Sequence, residues 1–150
     1  MRALIQRVSR ASVSVDGEIT GAIGPGLLVL LGVHKDDTTR DADFLLDKVT
    51  HLRIFNDHAG KMNLSILDVA GELLIVSQFT LYGDCKKGRR PSFDQAAAPL
   101  DAKHMYEYFL LRAGGTGLKV SSGVFQAEMQ VSLTNVGPVT LLVDSDRLNS

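Results

Sequence analysis

The sequence predicts an α+β fold: a single domain built on a mostly antiparallel, curved or barrel-like sheet with two inserted helices. Three observations carry that expectation. Apolar and polar residues alternate with a period of two along several stretches, which marks strands with one buried face. Two other stretches switch to the 3.6-residue spacing of a helix with one apolar face. Turn signals at Asp16-Gly17, Gly24-Pro25-Gly26 and Asn135-Val136-Gly137-Pro138 punctuate the strand-like runs, so most of them are joined by short connections. The length of 150 residues fits one domain, 1–150, and no repeat, linker or low-complexity segment divides it.

Residues 2–8 read as a strand, and Ala11, Val13 and Val15 alternate with Ser12 and Ser14 in a second. Asp16-Gly17 is a hairpin signal, because a two-residue turn of this kind needs positive φ and Gly tolerates it. The return strand covers 18–23. Residues 27–33 are apolar almost without interruption, as expected of a strand buried on both faces. Ala42, Leu45, Leu46, Val49 and Leu52 recur at helical spacing, so 39–52 is the first helix, opened by Thr38 with Asp41 three residues on. A short strand at 53–55, a polar loop at 56–63 and a strand at 72–78 follow. Residues 84–98 read as a loop. Asp101 is placed as the N-cap of the second helix, whose stripe is Ala102, Met105, Tyr106, Phe109 and Ala113, and Gly114-Gly115 ends it. Met129, Val131 and Leu133 alternate with polar residues in a late strand, and 139–143 forms the last one.

Composition narrows the function classes. The apolar fraction of 45% and the charged fraction of 22% are those of a folded globular chain. A net charge of −1 provides no overall field for nucleic acid, so any RNA contact must come from a local patch. One cysteine, Cys85, excludes an intramolecular disulfide and fits a reducing compartment. The first residues place Arg2, Arg7 and Arg10 in a strand-like run without the apolar core of a signal peptide, and the longest apolar run, 27–31, is too short to span a bilayer. These features point to a cytoplasmic protein with no membrane partner.

Ser77-Gln78-Phe79-Thr80 groups two hydroxyls at the end of an apolar strand, a position that presents side chains and backbone amides to a ligand. There is no G-x-S-x-G elbow, and none of His34, His51, His58 and His104 is a local partner for either hydroxyl. Residue pattern alone therefore leaves two readings open: a ligand-presenting strand end, and hydroxyls that merely close it. No H-E-x-x-H, C-x-x-C or close His pair suggests a metal. Lys86, Lys87, Arg89 and Arg90 fall within five residues, a density that suits phosphate oxygens and equally a solvated charged loop. Phe79, Tyr82 and Phe93 can stack on a base or pack in a core.

The motifs taken together resemble the D-aminoacyl-tRNA deacylase family. The resemblance runs through Ala3-Leu4-Ile5-Gln6-Arg7-Val8 with Ala11-Ser12-Val13, then residues 26–33, Arg53-Ile54-Phe55 and Gly60-Lys61-Met62-Asn63. It continues through Ser77-Gln78-Phe79-Thr80-Leu81, Arg90-Pro91-Ser92-Phe93 and Asn135-Val136-Gly137-Pro138-Val139-Thr140. The tail after Val143 matches least well.

That resemblance implies an enzyme that hydrolyses the ester joining a D-amino acid to the 3′ end of tRNA, without cofactor or metal. It implies a homodimer with its sites at the subunit interface and a cis Gly137-Pro138 bond, whose loop enters the partner's site and rejects L-amino acids. By the same implication Ser77, Gln78, Phe79 and Thr80 are the catalytic segment, Phe125, Met129 and Val136 border the pocket, and Arg7 supports the loop. The basic cluster would take the tRNA backbone. With the substrate's terminal 2′-OH available to activate water, the missing triad is compatible with this chemistry. Two further readings stand beside it: an RNA-binding module without catalysis, and a conventional Ser or Thr esterase.

Overall fold

The protein is described by a computed structural model covering residues 1–146. β1 (Arg2–Val15) is the spine. Along one edge its first half pairs antiparallel with β3 (Gly26–Gly32) and its second half with β2 (Glu18–Ile23). Along the other edge it pairs with β8 (Gln130–Asp144) over nearly its whole length. Beyond β3 the sheet continues with β6 (Glu72–Ser77) and β7 (Val120–Ser122), both parallel to their neighbours. β2 also lies against β6 and β7, so the sheet curls into a nearly closed barrel. The expected α+β, barrel-like domain is the observed one, with parallel pairs added at β3, β6 and β7.

β3 explains the parallel pairs. Leu27, Val29 and Leu31 face one side and Leu28 the other, all essentially without solvent contact. Such a strand needs cover on both faces, the usual condition of a parallel strand. On one face α1 (Thr39–His51) and α3 (Pro99–Gly114) supply Leu45, Val49 and Phe109, which pack with Ile5, Leu27, Leu31 and Ile75. On the inner face Val8, Val13, Leu28, Leu74 and Val76 form a second cluster, with Met129 and Val131 packed against it.

Several boundaries differ from the sequence expectations. The strands expected at 2–8 and 11–15 are one strand, because β8 stays paired across their junction, with Arg10 opposite Thr134. The strands expected around 129–133 and 139–143 are likewise one, β8. α3 starts at Pro99 with Ala98 as its N-cap, so Asp101 lies in the first turn and does not cap it. Proline suits this opening position because the amide it lacks would have no helical partner. The polar loop at 56–63 hides structure: β4 (Phe55–Asn56) pairs with β5 (Met62–Leu64). The single turn α2 (Ile66–Val69) follows, held by Ser65 and Asp68. The Ser65 amide donates to the Asp68 carboxylate at 2.8 Å, and the Asp68 amide donates to Ser65 Oγ at 3.1 Å. Four residues are too few to show a helical period, so this third helix is invisible to pattern reading.

The chain closes on itself where β8 ends. Arg2 Nε donates to Asp144 at 2.8 Å, and the Ser145 amide donates to the Met1 carbonyl at 2.9 Å. The last four residues of the divergent tail, 147–150, lie outside the described residues. Among the described residues no helix is long and apolar enough to cross a membrane.

Candidate active site

β6 carries Ser77 to the end of the parallel pair with β3, opposite Leu31. The Gln78 amide makes one more bond, to the Leu31 carbonyl at 2.8 Å, and the chain then tightens into a 3-10 turn, Phe79–Tyr82. The turn's first local hydrogen bond runs from the Leu81 amide to the Gln78 carbonyl at 3.2 Å. The amides of Phe79 and Thr80 precede it and so are not used by the turn itself. The Gln78 side-chain amide donates to Thr80 Oγ1. Arg2 holds the far end of the turn: its Nη1 donates to the Leu81 carbonyl at 2.9 Å, and its guanidinium lies over the Tyr82 ring.

This strand end forms one wall of a cavity of about 660 Å3. Val33 and Val76 line it from the sheet side of the chain, with Ala96 and Ala97 from the loop before α3 and Pro99 and Ala102 from α3 itself. Phe125, Gln126 and Ala127 close it from the segment before β8, with Met129 and Val131 beside them. Phe79, about half exposed at 54%, meets Phe93 edge-on at 5.0 Å between ring centroids. Below Phe125 lies Tyr106, whose buried hydroxyl donates to the Ile75 carbonyl at 2.7 Å. Burial pushes Tyr106 up to about 12, so this hydroxyl keeps its proton at neutral pH. The residues lining the cavity include no His, Asp, Glu, Lys or Arg. Its polar side chains are Ser77, Gln78 and Gln126 only.

The second feature lies on β8. Gln6 pairs with Thr140 and Val8 with Asn135, so residues 136–139 of β8 bulge out opposite the single residue Arg7. The Gly137–Pro138 peptide in this bulge is cis, and Gly137 has φ +131°. Arg7 ties the bulge to the body: Nε donates to the Val136 carbonyl at 2.9 Å, while Nη1 donates to the Ile54 carbonyl at 2.8 Å. Gly137 and Pro138 are exposed, and neither lines the cavity of its own chain.

The basic cluster occupies the tip of a hairpin. Asp84 and Ser92 exchange backbone bonds of 2.7 and 2.9 Å at its base. Lys86, Lys87, Arg89 and Arg90 are all exposed between them. None of the four enters an ion pair among the described residues. The hairpin leads into Phe93, which lines the cavity, so the cluster and the cavity are joined by a short stretch of chain.

The structure thus gathers Ser77, Gln78, Phe79, Phe125 and Met129 around one cavity. It leaves two of the expected residues outside. Thr80 is turned to solvent on the 3-10 turn, and Val136, expected at the pocket border, sits on the β8 bulge at 43% exposure instead. Sequence reading missed Ala96, Ala97 and Ala102, whose small side chains leave the cavity its volume; the run Ala96-Ala97-Ala98 before a proline was the available signal. The sequence gives no separate role to Asn135, yet its side chain spans the base of the bulge. Among the described residues no group of three or more His, Cys, Asp or Glu is placed to hold a metal ion.

Comparison with known proteins supplies an independent view. Residues 4–144 match the model of the family described as D-Tyr-tRNA(Tyr) deacylase. A protein of Thermosipho africanus named D-aminoacyl-tRNA deacylase is 60% identical over 148 residues, covering 99% of each chain. One of Geotalea uraniireducens with the same name is 58% identical over 147 residues, 98% of this chain and 95% of the other. Among solved structures, one titled c-Myc DNA Unwinding Element Binding Protein superposes with a TM-score of 0.91 at 41% identity, covering 96% of this chain and 98% of that one. Another, titled as a probable eukaryotic D-amino acid tRNA deacylase, has a TM-score of 0.85 over 95% of this chain and 98% of that one; at 19% identity it speaks for the fold alone.

Proposed function

The chain belongs to the D-Tyr-tRNA(Tyr) deacylase family, and from that premise we propose that it is a homodimeric ester hydrolase that frees tRNA from D-amino acids and from glycine. L-aminoacyl-tRNA is rejected by the Gly137-Pro138 loop reaching in from the partner subunit. The observation that carries this reading is a cavity bearing hydroxyl, amide and aromatic groups but no acid or base, paired with a rigidly held loop that its own cavity does not use.

No protein nucleophile takes part in the reaction. Water attacks the ester carbonyl carbon, the carbonyl electrons move onto oxygen, and the bond to the ribose 3′ oxygen breaks. The proton lost by water returns to that leaving oxygen, with the neighbouring 2′-OH as the relay. The amides of Phe79 and Thr80, which the turn does not use, receive the oxyanion in this reading. A preorganised donor of this kind contributes about 10²–10³ in rate. This chemistry uses neither metal nor cofactor.

Selection follows from exclusion. Backbone carbonyls of a stiff loop hold the substrate α-amino group and occupy the space an L side chain needs, while a D side chain points away. Nothing then grips the side chain, so different D-amino acids are accepted, and glycine cannot be excluded by shape. Dimerisation is supported by β8, which among the described residues pairs with β1 alone and shows Leu133, Val136, Leu141 and Leu142 to solvent. A long unpaired edge strand with exposed apolar side chains is a surface that proteins normally cover. We place the enzyme in the cytoplasm, where charged tRNA is used.

Release of amino acid from one tRNA charged separately with D-Tyr, L-Tyr and Gly tests the reading. Purified protein should release D-Tyr and Gly and leave L-Tyr in place. Release of L-Tyr as fast as D-Tyr would overturn it, and so would binding of all three with no release, the behaviour of a plain RNA-binding module.

The basic hairpin is assigned to the phosphates beside the acceptor end. Replacing Lys87 and Arg90 together by Gln should weaken tRNA binding and lower the slope of log Kd against log salt by about 1–2, because fewer counterions are released. An unchanged slope would return the cluster to solvent.

A further inference from the structure

We propose that Asn135 is a specificity-determining positioning residue: its side-chain amide closes the base of the Gly137-Pro138 loop and sets where the selector stands in the partner's cavity. The proposal rests on the function given above and adds a residue to it.

The need for such a residue follows from the ladder. β8 leaves its pairing with β1 after Asn135 and returns at Thr140. Across that gap the strand β1 offers only Arg7, and Arg7 spends its guanidinium on the carbonyls of Val136 and Ile54 and on Asn56 Oδ1 at 3.3 Å. The returning arm of the loop therefore has to find its partners elsewhere. Asn135 supplies them. Its Oδ1 accepts the Val139 amide at 2.7 Å, and its Nδ2 donates to the Val139 carbonyl at 3.1 Å. One side-chain amide thus satisfies both backbone groups of Val139, as a neighbouring strand would. Nδ2 also donates to Thr140 Oγ1 at 3.0 Å, which takes a longer bond from Gln6 Nε2 at 3.4 Å.

The loop is consequently held on both arms, by Arg7 at Val136 and by Asn135 at Val139, with Gly137-Pro138 between them. The chemistry selects the residue type. Asp keeps the acceptor but has no donor for the Val139 carbonyl, Ala has neither, and Gln places the same amide one methylene too far out. Asn135 lies outside the cavity and so acts on the substrate only through the loop.

The test is the ratio of D-Tyr to L-Tyr release, measured on one preparation of each variant so that any loss of folded protein cancels. Asn135→Ala should lower the ratio at least about tenfold, which corresponds to about 1.4 kcal/mol. Asn135→Asp should fall between it and wild type, and Thr140→Val, which removes one of three bonds while keeping a β-branched strand residue, should fall by less. Ratios of both Asn135 variants equal to that of a selective wild type would overturn the clamp and leave the function intact. A wild type without D preference would overturn the function and the clamp with it.

Discussion

A tRNA ending in 2′-deoxyadenosine should be deacylated at least about 100-fold more slowly than the ribose form, the loss expected when a positioned proton relay is removed. Thr80→Ala should cost less than about tenfold. The contrast follows from what the cavity contains. A hydroxyl nucleophile needs a base within hydrogen-bond reach, and the lining residues include no His, Asp, Glu or Lys. Thr80 Oγ1 instead accepts a bond from the Gln78 side chain and faces solvent. A hydroxyl in that position steadies the turn, and Thr80→Ala retains the backbone amides that the proposed reaction uses. Single-turnover hydrolysis of D-Tyr-tRNA with each terminal adenosine measures the comparison. If Thr80→Ala abolishes turnover while the 2′-deoxy substrate reacts normally, the chain is a conventional esterase.

How much of this was legible beforehand depended on how local each cause was. The hairpin at Asp16-Gly17, the capping pair Thr38 and Asp41, and the doubly buried strand around 27–31 are each written in a few adjacent residues, and each is present as the sequence predicts. The continuity of β1 and β8 is not, because it depends on strands whose paired residues lie far apart in sequence, from Ser14 with Gln130 to Arg2 with Asp144, staying paired across a turn signal. The candidate site shows a similar division. Ser77 through Phe79 could be named from their motif. The cavity itself is made by alanines from the loop before α3 and by Phe125 and Met129 from the other end of the chain, and no spacing rule connects those. The basic cluster was ambiguous as sequence because exposure and pairing decide its meaning, and both are properties of the folded hairpin. Asn135 was passed over for the same reason: its value lies in reaching Val139, which only the bulge brings within range.

Gly137→Ala should reduce the D-to-L ratio about 100-fold, a larger effect than any other loop substitution considered above, given that strained backbone positions cost about 1–3 kcal/mol each. A methyl group at this position would stand 2.9 Å from Arg7 Nη2, 2.9 Å from Val139 Cγ2 and 3.2 Å from the Val139 amide. The φ of +131° is one that L side chains rarely adopt. Relief requires Arg7 to release the Val136 carbonyl or the loop to move, and either shifts the selector. Because the loop stands apart from its own chain's cavity, the damage should appear in the partner's site, and mixed dimers reveal where it lands. One protomer carries Gly137→Ala with a good cavity. The other carries Ser77→Trp, which fills the cavity, with a good loop. A two-fold dimer of these pairs the good cavity with the good loop once, so it should retain about half the selective activity of the wild-type dimer. Each homodimeric variant should fail, one by losing selectivity and the other by losing turnover. A mixed dimer that lacks selective activity, beside a wild-type control carrying the same tags that keeps it, would place the loop in the service of its own chain.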